Sequence, residues 1–159
     1  MASEQTRPKA PPLRLHALDE EDLHLLSACL QDALLRVGDM AFLPHKRRFA
    51  LVADRFDWAA DACDGVRERA RAGLHFEAVR HVRYKGVARD YPNMVLELLT
   101  ISFAAGPEPE GRIQLNFAGG AAISLDVDCI EAQLGDLGPR WRVASRPAHE
   151  LDEGAAARS

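Results

Sequence analysis

The residues best suited to chemistry lie in the middle third of the chain. Arg67, Arg69 and Arg71 recur at every second position, and Arg80, Arg83 and Lys85 follow, with His75 and His81 among them and His45 upstream. Guanidinium forks match carboxylates and phosphates, and imidazole titrates near neutrality. This stretch could therefore meet a small anion, a phosphate or an acidic protein surface. If 66–78 and 80–87 pair as a hairpin, His75 and His81 come close enough to share a ligand. A metal would need a third protein ligand, and no acid or cysteine stands at a telling spacing. No metal, cofactor or catalytic residue is expected. The simpler reading makes His75 a half-buried residue between Leu74 and Phe76, and His45 a turn residue.

Other reactive residues carry less. Cys29, Cys63 and Cys129 have no CxxC spacing, which suits reduced thiols. Cys129 falls at the start of an expected helix, where backbone N–H groups lower a thiol pKa, but Asp126, Asp128 and Glu131 oppose that. Trp58 and Trp141 stand beside arginines, as partner anchors or as rings closing one end of a barrel with Arg stacked above them. The phosphate-loop, dinucleotide, nucleophile-elbow and zincin motifs are absent from the sequence. The strands around Arg67–Lys85 with Tyr84 could face a nucleic acid, but a net charge of −4 and an aromatic share of 6% speak against a stacking platform.

The elements that must position these residues follow from periodicity. Leu13–Ala17 alternates as a short strand. Asp19 can cap a helix with acids in its first turn, and apolar residues at 23, 26, 30, 33, 34 and 37 predict an amphipathic helix over about 20–37, ended by Gly38. Met40–Leu43 and Phe49–Phe56 flank Pro44–Arg47 as a hairpin, and 57–65 is a loop or short helical turn. Helix propensity and alternation compete over 66–78, and the alternating arginines favour a strand. Further strands are expected at Arg80–Val87 and Met94–Phe103, and on either side of Gly119-Gly120. Asp128, with Glu131 at the capping-box position and Ile130, Leu134 and Leu137 on one face, predicts a short closing helix stopped by Gly138-Pro139.

Seven strands counted from Met40 and a closing helix make an α+β fold, an antiparallel sheet or partly open barrel. The element order resembles a pleckstrin-homology-like barrel with the first strand and helix as an extension. Residues 13–144 form one expected domain, between a disordered tail at 1–12 and a flexible one at 145–159. The 159 residues suffice for a core without disulfide or metal staples, and no apolar run approaches the length that spans a bilayer. Met1–Pro12 has no apolar leader core, so a cytoplasmic protein without membrane contact is expected.

Charge is segmented. Residues 16–40 hold six acids and one base, 66–89 seven bases and two acids, and 108–136 six acids and one base. Such alternation can make complementary faces within one fold or between two protomers.

Several motifs together resemble a known family. Ala17-Leu18-Asp19, Leu30-Gln31-Asp32-Ala33, Arg47-Arg48-Phe49-Ala50-Leu51, Arg55-Phe56-Asp57-Trp58, Leu74-His75-Phe76, Phe117-Ala118-Gly119-Gly120 and Cys129-Ile130-Glu131-Ala132-Gln133-Leu134 carry the resemblance. The family is the mainly alphaproteobacterial domain of unknown function 2948, and the similarity runs from about Leu13 to Glu150. It implies a bacterial cytosolic protein and transfers no functional residue.

The reading favoured is a non-enzymatic protein-binding or adaptor domain, with Arg67, Arg69, Arg71, Arg80, Arg83 and Lys85 facing an acidic partner or a second protomer. The alternative is a domain, or an enzyme, for a small molecule or phosphate that uses the same arginines with His75 or His81. Nucleic-acid binding ranks third.

Overall fold

The computed structural model describes residues 11–147. Most of both expected tails lies outside them. Ten strands form one open, antiparallel sheet: β1 (Arg14–Ala17), β2 (Leu34–Arg36), β3 (Met40–Leu43), β4 (Arg48–Phe56), β5 (Glu68–Phe76), β6 (Val79–Lys85), β7 (Val95–Ala105), β8 (Gly111–Phe117), β9 (Ala122–Val127) and β10 (Ala132–Arg142). The order is β1-β10-β5-β4-β2-β7-β8-β9-β6, with β3 on the free half of β4. Two helices, α1 (Glu20–Cys29) and α2 (Trp58–Asp64), complete the fold. Neither is long and apolar enough to cross a membrane.

Alternation decides which side of each strand is wet. On β4 and β5, Phe49, Leu51, Ala53, Ala72, Leu74 and Phe76 are buried; on β8 and β9, Ile113, Leu115, Phe117, Ile123, Leu125 and Val127 are. These side chains from both halves of the sheet join one cluster, so the sheet curls around them. Helix α1 seals the opening: Leu23, Leu26 and Leu30 pack inward, and the helix touches β1 in one half and β7 in the other. The halves are also stitched across β5 and β6. There Ala78 adopts φ 57° and its carbonyl accepts the Asp128 N–H at 3.0 Å, while Val79 N–H donates to the Arg47 carbonyl at 2.9 Å.

Where the period is two, the sequence and the structure agree. The segment 66–78 holds a strand, Glu68–Phe76, Met40–Leu43 pairs with Arg48–Leu51, and β8 and β9 flank Gly119-Gly120. Both glycines sit at positive φ, 83° and 88°, where a side chain is strained.

Two expectations are corrected. The first helix starts at its Asp19 cap but ends at Cys29, because Asp32 at φ 63° turns the chain and Leu34–Arg36 pairs with β7. The expected closing helix is strand β10. Ala132 is buried opposite Phe76 and Leu134 opposite Leu74, while Leu137, the third residue of the supposed helical face, is 56% exposed. Gly138-Pro139 marks a bulge in β10 between Asp136 and Arg140. Without a closing helix, the pleckstrin-homology-like element order loses its basis. From Met40 on, the expected seven strands are eight, and β1 and β2 bring the total to ten.

Gly111 shows how closely the curl brings β7 to β8. A Cβ there would overlap the ring of Phe103 and lie 2.8 Å from the Ala104 carbonyl oxygen. Gly111→Ala should therefore cost about 1–3 kcal/mol, read as a lower urea midpoint with an unchanged slope.

Candidate functional site

The outward face of β1, β10, β5 and β4 builds a trough row by row. Register places Arg14, Gly135, Gly73 and Val52 side by side, and His16, Gln133, His75 and Ala50 in the next row on the same face. Glycine and alanine form the floor between longer neighbours, leaving an open cavity of about 700 Å³ lined also by Leu15 and Leu137. A Cβ at Gly73 would enter van der Waals contact with Leu137, 3.5 Å away, so the Leu137 side chain lies over this part of the floor.

His75 is held from behind. Its Nδ1 lies 2.6 Å from Glu77 Oε2, which also accepts from Arg48 Nε at 2.7 Å. Burial pushes the Glu77 carboxyl up, but the hydrogen bonds from Arg48 and His75 outweigh it and hold the group below its ordinary value. A carboxylate on Nδ1 fixes ring orientation and tautomer, leaving Nε2 as the nitrogen for a ligand.

Beneath one end of the trough lies a buried ionic cluster. Arg55 Nε and Nη2 donate to the two Asp136 oxygens at 2.9 and 2.8 Å, with the side chains only 7% and 5% exposed. Asp136 also accepts the Leu13 N–H at 2.9 Å, and its own N–H returns a bond to the Leu13 carbonyl. Arg140 joins this pair to Glu68 and to Asp57, the N-cap of α2. Burial pushes the Asp136 carboxyl up, yet the Arg55 and Leu13 hydrogen bonds and the charges of Arg55 and Arg140 hold it below the ordinary range. Asp57 behaves alike: burial is opposed by the Ala60 N–H and by Arg140 and Arg55, and the carboxyl is lowered. Cys29 borders this cluster, and burial pushes its thiol up. That is the opposite of what a nucleophile needs.

The predicted cationic face is divided. Arg67 precedes β5 and lies 3.6 Å from Asp61. Arg69 and Arg71 share the outward side of β5, where Arg69 donates to the Asp54 carbonyl at 2.9 Å and Arg71 to the Asp54 carboxylate at 2.9 Å. Burial pushes the Arg69 guanidinium down, against the charges of Asp54, Glu97 and Asp32. Arg80, Arg83 and Lys85 lie on β6 in the other half of the sheet. Arg80 sits 3.3 Å from Asp128 and Arg83 2.8 Å from Asp126. Strands β5 and β6 do not pair, because β5 lies between β4 and β10 and β6 joins β9. His75 and His81 therefore occupy different halves.

The two tryptophans act as struts. Trp58 Nε1 donates to the Gln31 carbonyl at 3.0 Å and its ring meets Phe56 edge-on at 4.6 Å. Arg71 covers Trp141 at 5.6 Å. His45 lies in the single 3-10 turn between β3 and β4. Among the described residues no three His, Cys, Asp or Glu side chains cluster to hold a metal. The sequence reading passed over Arg14, His16, Gln133 and the Glu77–Arg48 support. Gly73 and Gly135 at outward positions were the available signal, hidden because Gly135 fell in the expected helix.

The family described as "Protein of unknown function (DUF2948)" matches residues 13–149, so the chain belongs to that family. No curated protein and no solved structure matches the chain.

Asp136 and Asp57 have folded pKa values below their unfolded ones, so the folded state binds fewer protons. Their contribution to stability is present above the unfolded carboxyl value of about 3.9 and drains as pH falls through the lower folded value. Asp136→Asn leaves Arg55 buried without its counter-charge and should cost about 3–5 kcal/mol at pH 7. Urea unfolding of both proteins at pH 7 and in acid should show that gap narrowing as pH falls; a constant gap contradicts the assignment.

Proposed function

We propose that this member of the DUF2948 family is a binding domain for a small, flat organic anion, held in the trough of β1, β10, β5 and β4. The observation that carries the reading is the His75 ring, anchored by Glu77 beside a floor of Gly73 and Gly135. Around that floor the Arg14 guanidinium and the Gln133 amide donate, and the His75 ring, whose Nδ1 faces Glu77, adds a donor at Nε2 in its imidazolium form. The carboxylates nearby are already engaged, Glu77 by Arg48 and Asp136 by Arg55. An anion therefore meets the Arg14 guanidinium with both neighbouring carboxylates already paired. Leu137 reaches over Gly73 and the Arg14 guanidinium over Gly135, so a planar body would rest its apolar side on the leucine beside the arginine.

The charge alternation that suggests a protein partner is answered inside the chain. Arg48, Arg71, Arg80, Arg83 and Arg112 each meet an intrachain carboxylate. With those pairs made, the adaptor reading has less to stand on than the trough does.

The test is a titration of the full chain with benzoate, following the ring resonances of His16 and His75, with His81 in the other half as an internal control. The expected result is saturable movement of His16 and His75 alone, lost in Gly73→Leu and weakened about tenfold in Arg14→Gln. Rings that stay still, or that move equally in Gly73→Leu, end the reading.

A further inference from the structure

The other half of the sheet carries a groove of different chemistry, and it stands independently of the trough. Register aligns Arg83, Ser124, Gln114 and Ser102 in one row across β6, β9, β8 and β7, and Lys85, Ala122, Asn116 and Thr100 in the next. The middle strand β9 presents the small Ser124 and Ala122 in these rows, with Asp126 beyond them on Arg83 and Arg112, while its neighbours raise long side chains on both sides. The result is a cavity of about 620 Å³ running along β9. One wall is cationic. Arg83 is 58% exposed although Asp126 holds it, and among the described residues Lys85 meets no carboxylate.

The opposite wall is a chain of oriented amides and hydroxyls. Ser124 Oγ donates to Gln114 Oε1 at 3.4 Å, Gln114 Nε2 to Asn116 Oδ1 at 2.7 Å, and Asn116 Nδ2 to the hydroxyl oxygens of Thr100 and Ser102 at 3.0 and 3.3 Å. Each bond spends part of a known capacity. Gln114 keeps one N–H, and Thr100 and Ser102 keep their hydroxyl protons. The oxygens of Gln114, Asn116 and Ser124 keep lone pairs. Gln114, Asn116 and Ser124 thus line the groove with one free donor and several acceptors, oriented by one another and from behind by Thr100 and Ser102.

A bare anion has no use for the free acceptors, and a neutral sugar leaves the charge of Lys85 and Arg83 unmatched. We infer that the groove along β9 is a binding site for a phosphorylated sugar or polyol, its phosphoryl group against Lys85 and Arg83 and its hydroxyls along Gln114, Asn116 and Ser124. A nucleic-acid strand fits less well, because the ring at the groove, Tyr84, is already covered by the Arg89 guanidinium 4.2 Å from its centre.

The experiment titrates the full chain in parallel with glucose 6-phosphate, glucose, inorganic phosphate and a short single-stranded oligoribonucleotide, following the side-chain amides of Gln114 and Asn116. Glucose 6-phosphate should bind about tenfold or more tightly than either of its parts, and Lys85→Ala should weaken it about tenfold. Ala122→Leu, which fills the floor from an outward position, should abolish binding while the His75 ring resonance stays in place as a check on folding. Gly73→Leu should change nothing here, which separates this site from the trough. Equal affinity for phosphate and glucose 6-phosphate, tighter binding of the oligonucleotide, or binding undiminished by Ala122→Leu would each overturn the assignment, as would no binding at all.

Discussion

The buried pair of Arg55 and Asp136 is the constraint on which much of the molecule rests. Two charges with almost no access to water are tolerated because the fork is bidentate and the remaining valence of the carboxylate is taken up by the Leu13 N–H. That single carboxylate ties β4 to β10 and fixes where β1 begins. Just beyond the bulge in β10, Arg140 extends the network to Asp57, and through that cap to α2. Losing any member leaves a charge stranded in the interior, a far larger penalty than a missing surface pair. The rows of the trough are set by the same register, since Arg14 and His16 face Gly135 and Gln133 only if β1 starts at that point.

A curled sheet has one crowded side and one open side, and this chain uses the open side twice in the same way. In each half small outward residues lie among longer ones, as a row across β10 and β5 in one and along β9 in the other. Gly73 and Gly135 form the floor in one half, and Ala122 and Ser124 in the other. Grooves made this way need no loop or lid, because strand register alone positions the walls. Their chemistry differs through neighbouring side chains: histidine and arginine over glycine in one, and an amide–hydroxyl ladder facing cations in the other. Rigid walls of this kind lower the ordering cost of binding.

Segmented charge has a plain structural origin here. Where the acidic stretch 108–136 lies against the basic centre, Asp126 meets Arg83 and Asp128 meets Arg80, and the acids of that stretch also meet Arg112, Arg47 and Arg55 outside the centre. Exposed pairs among these add little stability, but they penalise wrong registers, where like charges would face each other.

Local pattern was enough wherever it was unambiguous. The alternation of Arg67, Arg69 and Arg71 against Ala70, Ala72 and Leu74 overcame good helix propensity, and Gly119-Gly120 between two alternating runs marked a hairpin. The Asp19 cap placed the start of α1. At 30–37 and 130–137 the apolar residues satisfy a helical spacing and a strand spacing at once, and no local rule separates them. Tertiary partners did. The edge of β7 captured Leu34–Arg36, while Leu74 and Arg55 on strands far away in sequence drew Leu134 and Asp136 into β10. The sequence by itself thus determined an antiparallel sheet with a capped first helix and the residue types available for binding. Which of those residues meet was decided only by strand order, because backbone pairing between distant segments leaves no periodic trace in either one.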